Sequence, residues 1–126
     1  GQGVLEALWA SLWPQLAASA DGAARDMLAW LGPCIGPDAF EVGPEVRAAF
    51  TVADAGAEVC FRPLREGKFL ADLPGLARRR LHALGITAIS GNDGSAAWCT
   101  VSQPSRFFSH RRDRVSGRLA AATWLA

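Results

Sequence analysis

Apolar positions in the first part of the chain predict two helices and two strands. Between Gly3 and Ala18, leucines recur every three or four residues, which predicts an amphipathic helix with a kink at Pro14. The continuous apolar run Met27–Leu31 is followed by turn residues and predicts a buried strand. Phe40–Val42 predicts a second short strand, and Pro44–Phe50 predicts a short helix that starts with proline.

The second part of the chain alternates between segments with helical periodicity and segments with strand periodicity. Ala57–Phe61 is short and apolar, and fits either a strand or a helix. Phe69–Leu84 gives the strongest helical pattern, with Asp72 as a capping residue and Gly85 as its stop. The pattern therefore indicates an α+β fold with a mixed sheet. The other predicted elements are strands at Ile86–Ile89, Ala96–Val101 and Arg118–Leu125, the last one buried, and a turn at Pro104–Phe108.

A loop rich in glycine and proline follows the first predicted strand. Gly32, Pro33, Gly36 and Pro37 surround Cys34, and glycine and proline together make short, rigid turns. With the nearby carboxylate of Glu41, this loop is a candidate wall of a functional site. The alternative is a turn that only packs a strand against a helix.

Composition narrows the class of protein. The chain has 126 residues, of which 50% are hydrophobic and 20% charged, as in an ordinary folded domain. The net charge of +1 gives no electrostatic case for binding nucleic acid or an anionic membrane. No apolar run reaches the roughly 20 residues of a membrane span. Three cysteines do not suggest a disulfide framework and favour the cytoplasm.

Candidate chemistry begins with the thiol and imidazole groups. Their spacing fits no known zinc motif, so the sequence predicts no complete metal site within this chain. A nucleophilic pair of Cys34 with His110 is conceivable if the two meet in space. Cys60 and Cys99 lie in apolar stretches, where cysteine usually packs as a small core residue.

Arginines are concentrated between Arg106 and Arg118. This segment holds five arginines against one aspartate, Asp113, and contains two phenylalanines, Phe107 and Phe108. Guanidinium groups bind phosphate and carboxylate through two parallel hydrogen bonds, so a small anionic or nucleotide-like ligand fits here. The alternative is a solvated hairpin with an internal Arg–Asp pair.

Four motifs, in order, resemble the second half of the YfiH-like family, first labelled laccase-like polyphenol oxidase and later described as zinc-dependent purine nucleoside phosphorylase. The resemblance implies a layered α/β/β/α fold with mixed sheets, and makes residues 1–126 a single partial domain, the C-terminal portion of the family domain. The motifs are Leu31–Pro37 with Phe40–Gly43, Asp72-Leu73 to Leu84-Gly85-Ile86, Trp98-Cys99-Thr100, and Phe107–Asp113 through Ser116–Arg118 to Trp124-Leu125.

The resemblance also implies an activity. Family members carry out phosphorolysis of adenosine, inosine and methylthioadenosine, with some adenosine deamination, so purine nucleoside and phosphate are the expected partners. Their metal, zinc or copper, is held by two histidines and a cysteine in the first half, which precedes this chain, and no metal is expected on these residues alone. The facing wall carries over as Cys34, a catalytic candidate, and the substrate-binding candidates Glu41, His110, Arg111 and Arg112. His110 stands where the family often has tyrosine.

Two other functions stay open. The chain could be a non-catalytic remnant or a binding module that pairs with another chain. It could also be a cysteine hydrolase that uses Cys34 and His110. Because a helix is predicted at the first residues and an apolar strand at the last, we expect a missing N-terminal half or self-association, and no activity from this chain alone.

Overall fold

The computed structural model describes residues 7, 8, 10, 11 and 27–122. Residues 7, 8, 10 and 11 are helical. The predicted helix from Gly3 to Ala18, with its kink at Pro14, otherwise lies outside the described residues. The described elements are β1 (Leu28–Leu31), β2 (Glu41–Val42), α1 (Pro44–Ala53), β3 (Phe61–Pro63), β4 (Phe69–Ala71), α2 (Leu73–Ala83), β5 (Ala88–Gly91) and α3 (His110–Asp113), with 3-10 turns at Ala55–Cys60, Arg65–Gly67 and Ala96–Trp98.

The strands form two small sheets of different kinds. β1 and β5 pair in parallel, with Leu28 opposite Ala88 and Leu31 opposite Gly91. The second sheet is antiparallel in the order β2-β4-β3. Because β1 and β5 are parallel, their C-terminal ends lie side by side, and so do the loops that follow them. Among the described helices, none is long and apolar enough to cross a membrane.

The main core lies between the antiparallel sheet and helices α1 and α2. Strands and helices all contribute to it, because each presents one apolar face inward. Its fully buried members are Val42, Ala57, Cys60, Phe61, Ala71 and Leu76, and the partly buried Phe40, Val46, Phe50 and Phe69 pack around them. Phe40 thus joins the core to the Cys34 loop.

The predicted helix Phe69–Leu84 is wrong at its start. Phe69–Ala71 forms strand β4, since its backbone pairs with a strand on each side. The helix begins after Asp72, whose side chain accepts a hydrogen bond from the Gly75 N–H at 2.9 Å. It ends before Gly85, which has a positive φ of 83°, a conformation that favours glycine.

Two further strand predictions are also wrong. Ala96–Trp98 is a 3-10 turn, and beyond it only Cys99 forms a single bridge. The N–H groups of Trp98 and Cys99 donate to the carbonyls of Ser95 and Ala96 at 3.1 and 3.2 Å, so they are used within the turn and not in a strand ladder. Of the predicted strand Arg118–Leu125, residues 118–122 are exposed and outside any strand, and residues 123–125 lie outside the described part of the chain.

Candidate functional site

Three segments meet where the parallel sheet ends. The Cys34 carbonyl accepts a hydrogen bond from the Thr100 N–H at 2.9 Å. The Thr100 carbonyl in turn accepts one from Arg112 Nη1 at 2.7 Å. Arg111 Nη1 donates to the Glu41 carbonyl at 3.0 Å. The structure therefore connects Cys34, Glu41 and the arginine segment, which are far apart in sequence.

The Cys34 loop folds back on itself at Gly36. The Gly36 carbonyl accepts hydrogen bonds from the N–H groups of Ala39 at 3.0 Å and Phe40 at 3.1 Å. A Cβ at Gly36 would lie 3.1 Å from Cys99 Cβ, tighter than ordinary contact. Glycine at this position thus allows the loop to approach the Cys99 segment without displacing it.

Asn92 holds this region together, and the sequence analysis missed it. The side chain is 2% exposed. Its Nδ2 donates to the Gly32 carbonyl at 3.0 Å and to Cys34 Sγ at 3.3 Å, and its Oδ1 accepts the Gly94 N–H at 2.9 Å. Its position directly after a strand was the available signal, because strand ends bring loops together in a parallel sheet.

Cys34 has the surroundings of a protonated thiol. Its side chain is half-buried, and this burial raises the thiol pKa, which the hydrogen bond from Asn92 offsets only in part. Among the residues that the structure describes, no imidazole hydrogen-bonds this thiol. A cysteine nucleophile needs a lowered pKa or an adjacent base, so the geometry does not favour the cysteine hydrolase.

We expect the native Cys34 thiol to react slowly with iodoacetamide at pH 7, about 10-fold more slowly than in denatured protein, because a raised pKa leaves little thiolate. The rate should climb without a plateau up to pH 8.5 or so. Peptide mapping after timed alkylation measures it. Fast native alkylation with a plateau near neutral pH would instead support a catalytic thiol.

Arg112 is fully occupied by protein acceptors. Its Nε and Nη2 bind the two carboxylate oxygens of Asp113, both at 2.7 Å. Nη1 donates to the carbonyls of Thr100 and Val101, at 2.7 and 3.2 Å, and Nη2 also donates to that of Phe107 at 3.2 Å. A guanidinium has five N–H donors, so these contacts use all of them. This arrangement matches the alternative of an internal Arg–Asp pair.

Arg111, the neighbouring residue, is placed differently. Its side chain is exposed, and the centre of its guanidinium lies 5.4 Å from the centroid of the Phe40 ring. The Glu41 carbonyl takes one N–H, and within the described part of the chain the other four have no protein acceptor. His110 precedes it on α3 and is also exposed, as is Glu41. These three residues remain together at the surface.

The described residues do not fit a metal centre. Within residues 7, 8, 10, 11 and 27–122, no three histidine, cysteine, aspartate or glutamate side chains are grouped to hold a metal ion. The Cys99 thiol instead accepts hydrogen bonds from the Gly36 N–H at 3.2 Å and from Ser102 Oγ at 3.3 Å. No chemical step on these residues is therefore assigned to zinc or copper.

Comparison with known proteins identifies the fold. Residues 2–126 match the family model described as multi-copper polyphenol oxidoreductase laccase. The chain belongs to this family. The solved structure of the hypothetical protein YfiH of Bacillus licheniformis superposes with a TM-score of 0.70 at 29% identity. The match covers 86% of this chain and 39% of that one. The protein NMB0706 of Neisseria meningitidis gives 0.67 at 42% identity, with 81% and 40% covered.

Several curated relatives carry a functional name. A Xylella fastidiosa protein named purine nucleoside phosphorylase is 45% identical over 127 residues, 98% of this chain and 48% of its own length. Purine nucleoside phosphorylase YfiH of Escherichia coli is 50% identical over 102 residues, 80% and 40% respectively. The chain thus spans about half the length of the curated relatives it matches. The predicted YfiH-like resemblance and the mixed α+β fold are confirmed.

Proposed function

We propose that this chain supplies the phosphate-binding wall of a purine nucleoside phosphorylase, as one partial domain of a longer cytoplasmic enzyme. The names of relatives such as the Xylella fastidiosa protein support the reaction type. Adenosine, inosine and methylthioadenosine are the substrates that the family resemblance suggests, with adenosine deamination as a side reaction. Because the described residues offer no metal centre, any zinc or copper has to be held by other residues.

Phosphorolysis needs an anion held beside a breaking glycosidic bond. An oxygen of orthophosphate attacks C1′ of the ribose, the bond to the purine nitrogen breaks, and the base leaves with the electron pair and takes up a proton. Arg111 neutralises the charge of the phosphate, and the neighbouring His110 adds a polar contact. Glu41 can accept a hydrogen bond from a ribose hydroxyl. Placing charge where the anion is held lowers the barrier.

The contrast between two adjacent arginines carries this proposal. Arg112 has acceptors for all its N–H groups, whereas the described residues provide one for Arg111, the Glu41 carbonyl. The Arg111 guanidinium lies over the face of the Phe40 ring. This cation–π contact limits the movement of the guanidinium without using its N–H groups. Two parallel donors thus remain for a phosphate.

Replacing Arg111 with alanine should raise the apparent KM for phosphate about 10-fold in the active enzyme, because a charge-assisted hydrogen bond of about 1.5 kcal/mol is lost. Arg111→Lys should recover part of this, since lysine keeps the charge but not the two parallel donors. Steady-state rates at varied phosphate concentration measure the effect.

Arg118→Ala is the matched control, because Arg118 is an exposed arginine that, within the described part of the chain, donates only to the nearby Ser116 and Gly117 carbonyls. Its phosphate KM should stay at the wild-type value. An unchanged KM in folded Arg111→Ala would remove Arg111 from the site. Absence of any nucleoside turnover in the intact wild-type protein would instead favour the non-catalytic binding module.

A further inference from the structure

We propose that Cys34 and Cys99 are an oxidisable dithiol, which reacts with a low-molecular-weight disulfide and closes an intrachain disulfide bond. The inference concerns thiol chemistry and is independent of the phosphorylase reaction. It places a modification site at the junction between the Cys34 loop and the segment after the 3-10 turn Ala96–Trp98.

The backbone brings the two cysteines opposite each other. Cys34 and Cys99 are partners in a parallel β-bridge, which the hydrogen bond from Thr100 N–H to the Cys34 carbonyl helps to hold at 2.9 Å. Neighbouring strands lie about 4.8 Å apart, and directly paired residues project to the same face of a sheet. Disulfides span Cα separations of about 4.4–6.8 Å, so the pair is within range.

The two thiols have different surroundings. Cys99 is 3% exposed, and its sulfur accepts hydrogen bonds from the Gly36 N–H and Ser102 Oγ, which stabilise a thiolate. Burial raises its pKa, but these hydrogen bonds outweigh burial, and the net pKa lies below the ordinary value for cysteine. Cys34 is more accessible and has the raised pKa. A more accessible thiol is thus paired across the β-bridge with a buried sulfur that is suited to attack.

These surroundings assign the order of the reaction. Cys34 first loses its proton to water, which its raised pKa makes slow near neutral pH. The Cys34 thiolate then attacks a disulfide RSSR, forming Cys34–S–S–R and releasing RS⁻, which takes up a proton from water. The Cys99 thiolate then attacks the Cys34 sulfur and displaces RS⁻, which is protonated in water. Two protein thiols are oxidised, and one RSSR is reduced to two RSH.

Cys60 serves as an internal control. It is 7% exposed and lies in the main core, beside the antiparallel sheet rather than the parallel pair. Its neighbours in that core include Val42, Phe61 and Leu76. Burial raises the pKa of its thiol. We therefore expect Cys60 to stay reduced under conditions that oxidise the other pair.

The test treats the purified protein with oxidised glutathione and maps its peptides without reduction. We expect the peptide that contains Cys34 joined to the one that contains Cys99, and most of the chain to lose two hydrogen atoms in mass. Cys60→Ser should give the same cross-link in the same yield. In Cys99→Ser, Cys34 should stop at the mixed disulfide with glutathione, since no second thiol displaces it.

Other outcomes overturn the proposal. A wild-type protein in which Cys34 keeps glutathione and Cys99 stays reduced shows that the second step does not occur. Cross-links that involve Cys60 with comparable yield show disulfide exchange in unfolded chains. Cys99→Ala is a second variant in case serine in that buried position disturbs folding, and far-UV circular dichroism checks each variant before oxidation.

Discussion

Replacing Arg112 with alanine should lower the melting temperature by about 5–10 °C and leave the apparent affinity for phosphate unchanged. The guanidinium joins the carbonyls of Thr100, Val101 and Phe107 to the carboxylate of Asp113. Alanine removes all these contacts together and leaves carbonyl groups without their donor, which costs more than the loss of one surface ion pair. Thermal unfolding followed by circular dichroism measures the shift.

This prediction has a defined dependence on pH. The hydrogen bond and charge of Arg112 hold the pKa of Asp113 below its ordinary value. Because that pKa is lowered in the folded state, the pair stabilises the protein fully above about pH 4, the ordinary aspartate pKa, and loses this effect as the pH falls through the lower folded pKa. The difference in melting temperature between wild type and Arg112→Ala should therefore narrow in acid.

Arg118→Ala again provides the control, with a melting temperature within about 1 °C of the wild-type value, as expected for a surface side chain. A folded Arg112→Ala protein with normal stability and weakened phosphate affinity would contradict the structural role. That result would return Arg112 to the ligand-binding set proposed from the sequence.

Local patterns predicted the elements whose type does not depend on which segment of the chain they pair with. The apolar run Met27–Leu31 contains β1, and the proline-led segment Pro44–Phe50 forms most of α1, which continues to Ala53. The predicted burial of β1 is wrong among the described residues, since Leu28 is 86% exposed and Trp30 55% exposed. The helix prediction was wrong for Phe69–Ala71 because these residues also suit the first turn of a helix. Pairing with strands on both sides, which is a long-range interaction, overrides that preference.

Prediction from sequence reaches the same limit at the candidate site. Cys34, Glu41 and the arginine segment could be named from chemistry, and the structure does bring them together. Sequence could not distinguish Arg111 from Arg112, because three of the five contacts of Arg112 are to backbone carbonyls, which every residue has, and either arginine could pair with the Asp113 carboxylate. Only the path of the chain decides which guanidinium they face.

A substitution at Asn92 tests how strongly its buried amide holds the Cys34 loop in place. Its Nδ2 donates to the Gly32 carbonyl and to Cys34 Sγ, and its Oδ1 accepts the Gly94 N–H. Asn92→Asp should lower the free energy of unfolding by about 2–4 kcal/mol at pH 7, because a buried carboxylate would face two acceptors and cannot donate. Chemical denaturation at several pH values measures the loss.

The pH dependence of the Asn92→Asp variant shows whether its loss of stability comes from the missing donor. A carboxyl group that is buried against acceptors has a raised pKa, since its protonated form can donate to the Gly32 carbonyl. The variant should therefore be closest to wild type below about pH 4 and lose stability as the pH rises through the raised folded pKa. Asp93→Asn, at the exposed neighbouring position, keeps an acceptor for the Ser95 N–H and should change little. A loss of stability in Asn92→Asp that is the same at every pH would show that ionisation of the buried carboxyl group is not its cause, and would contradict the role of the Asn92 donor in holding the loop.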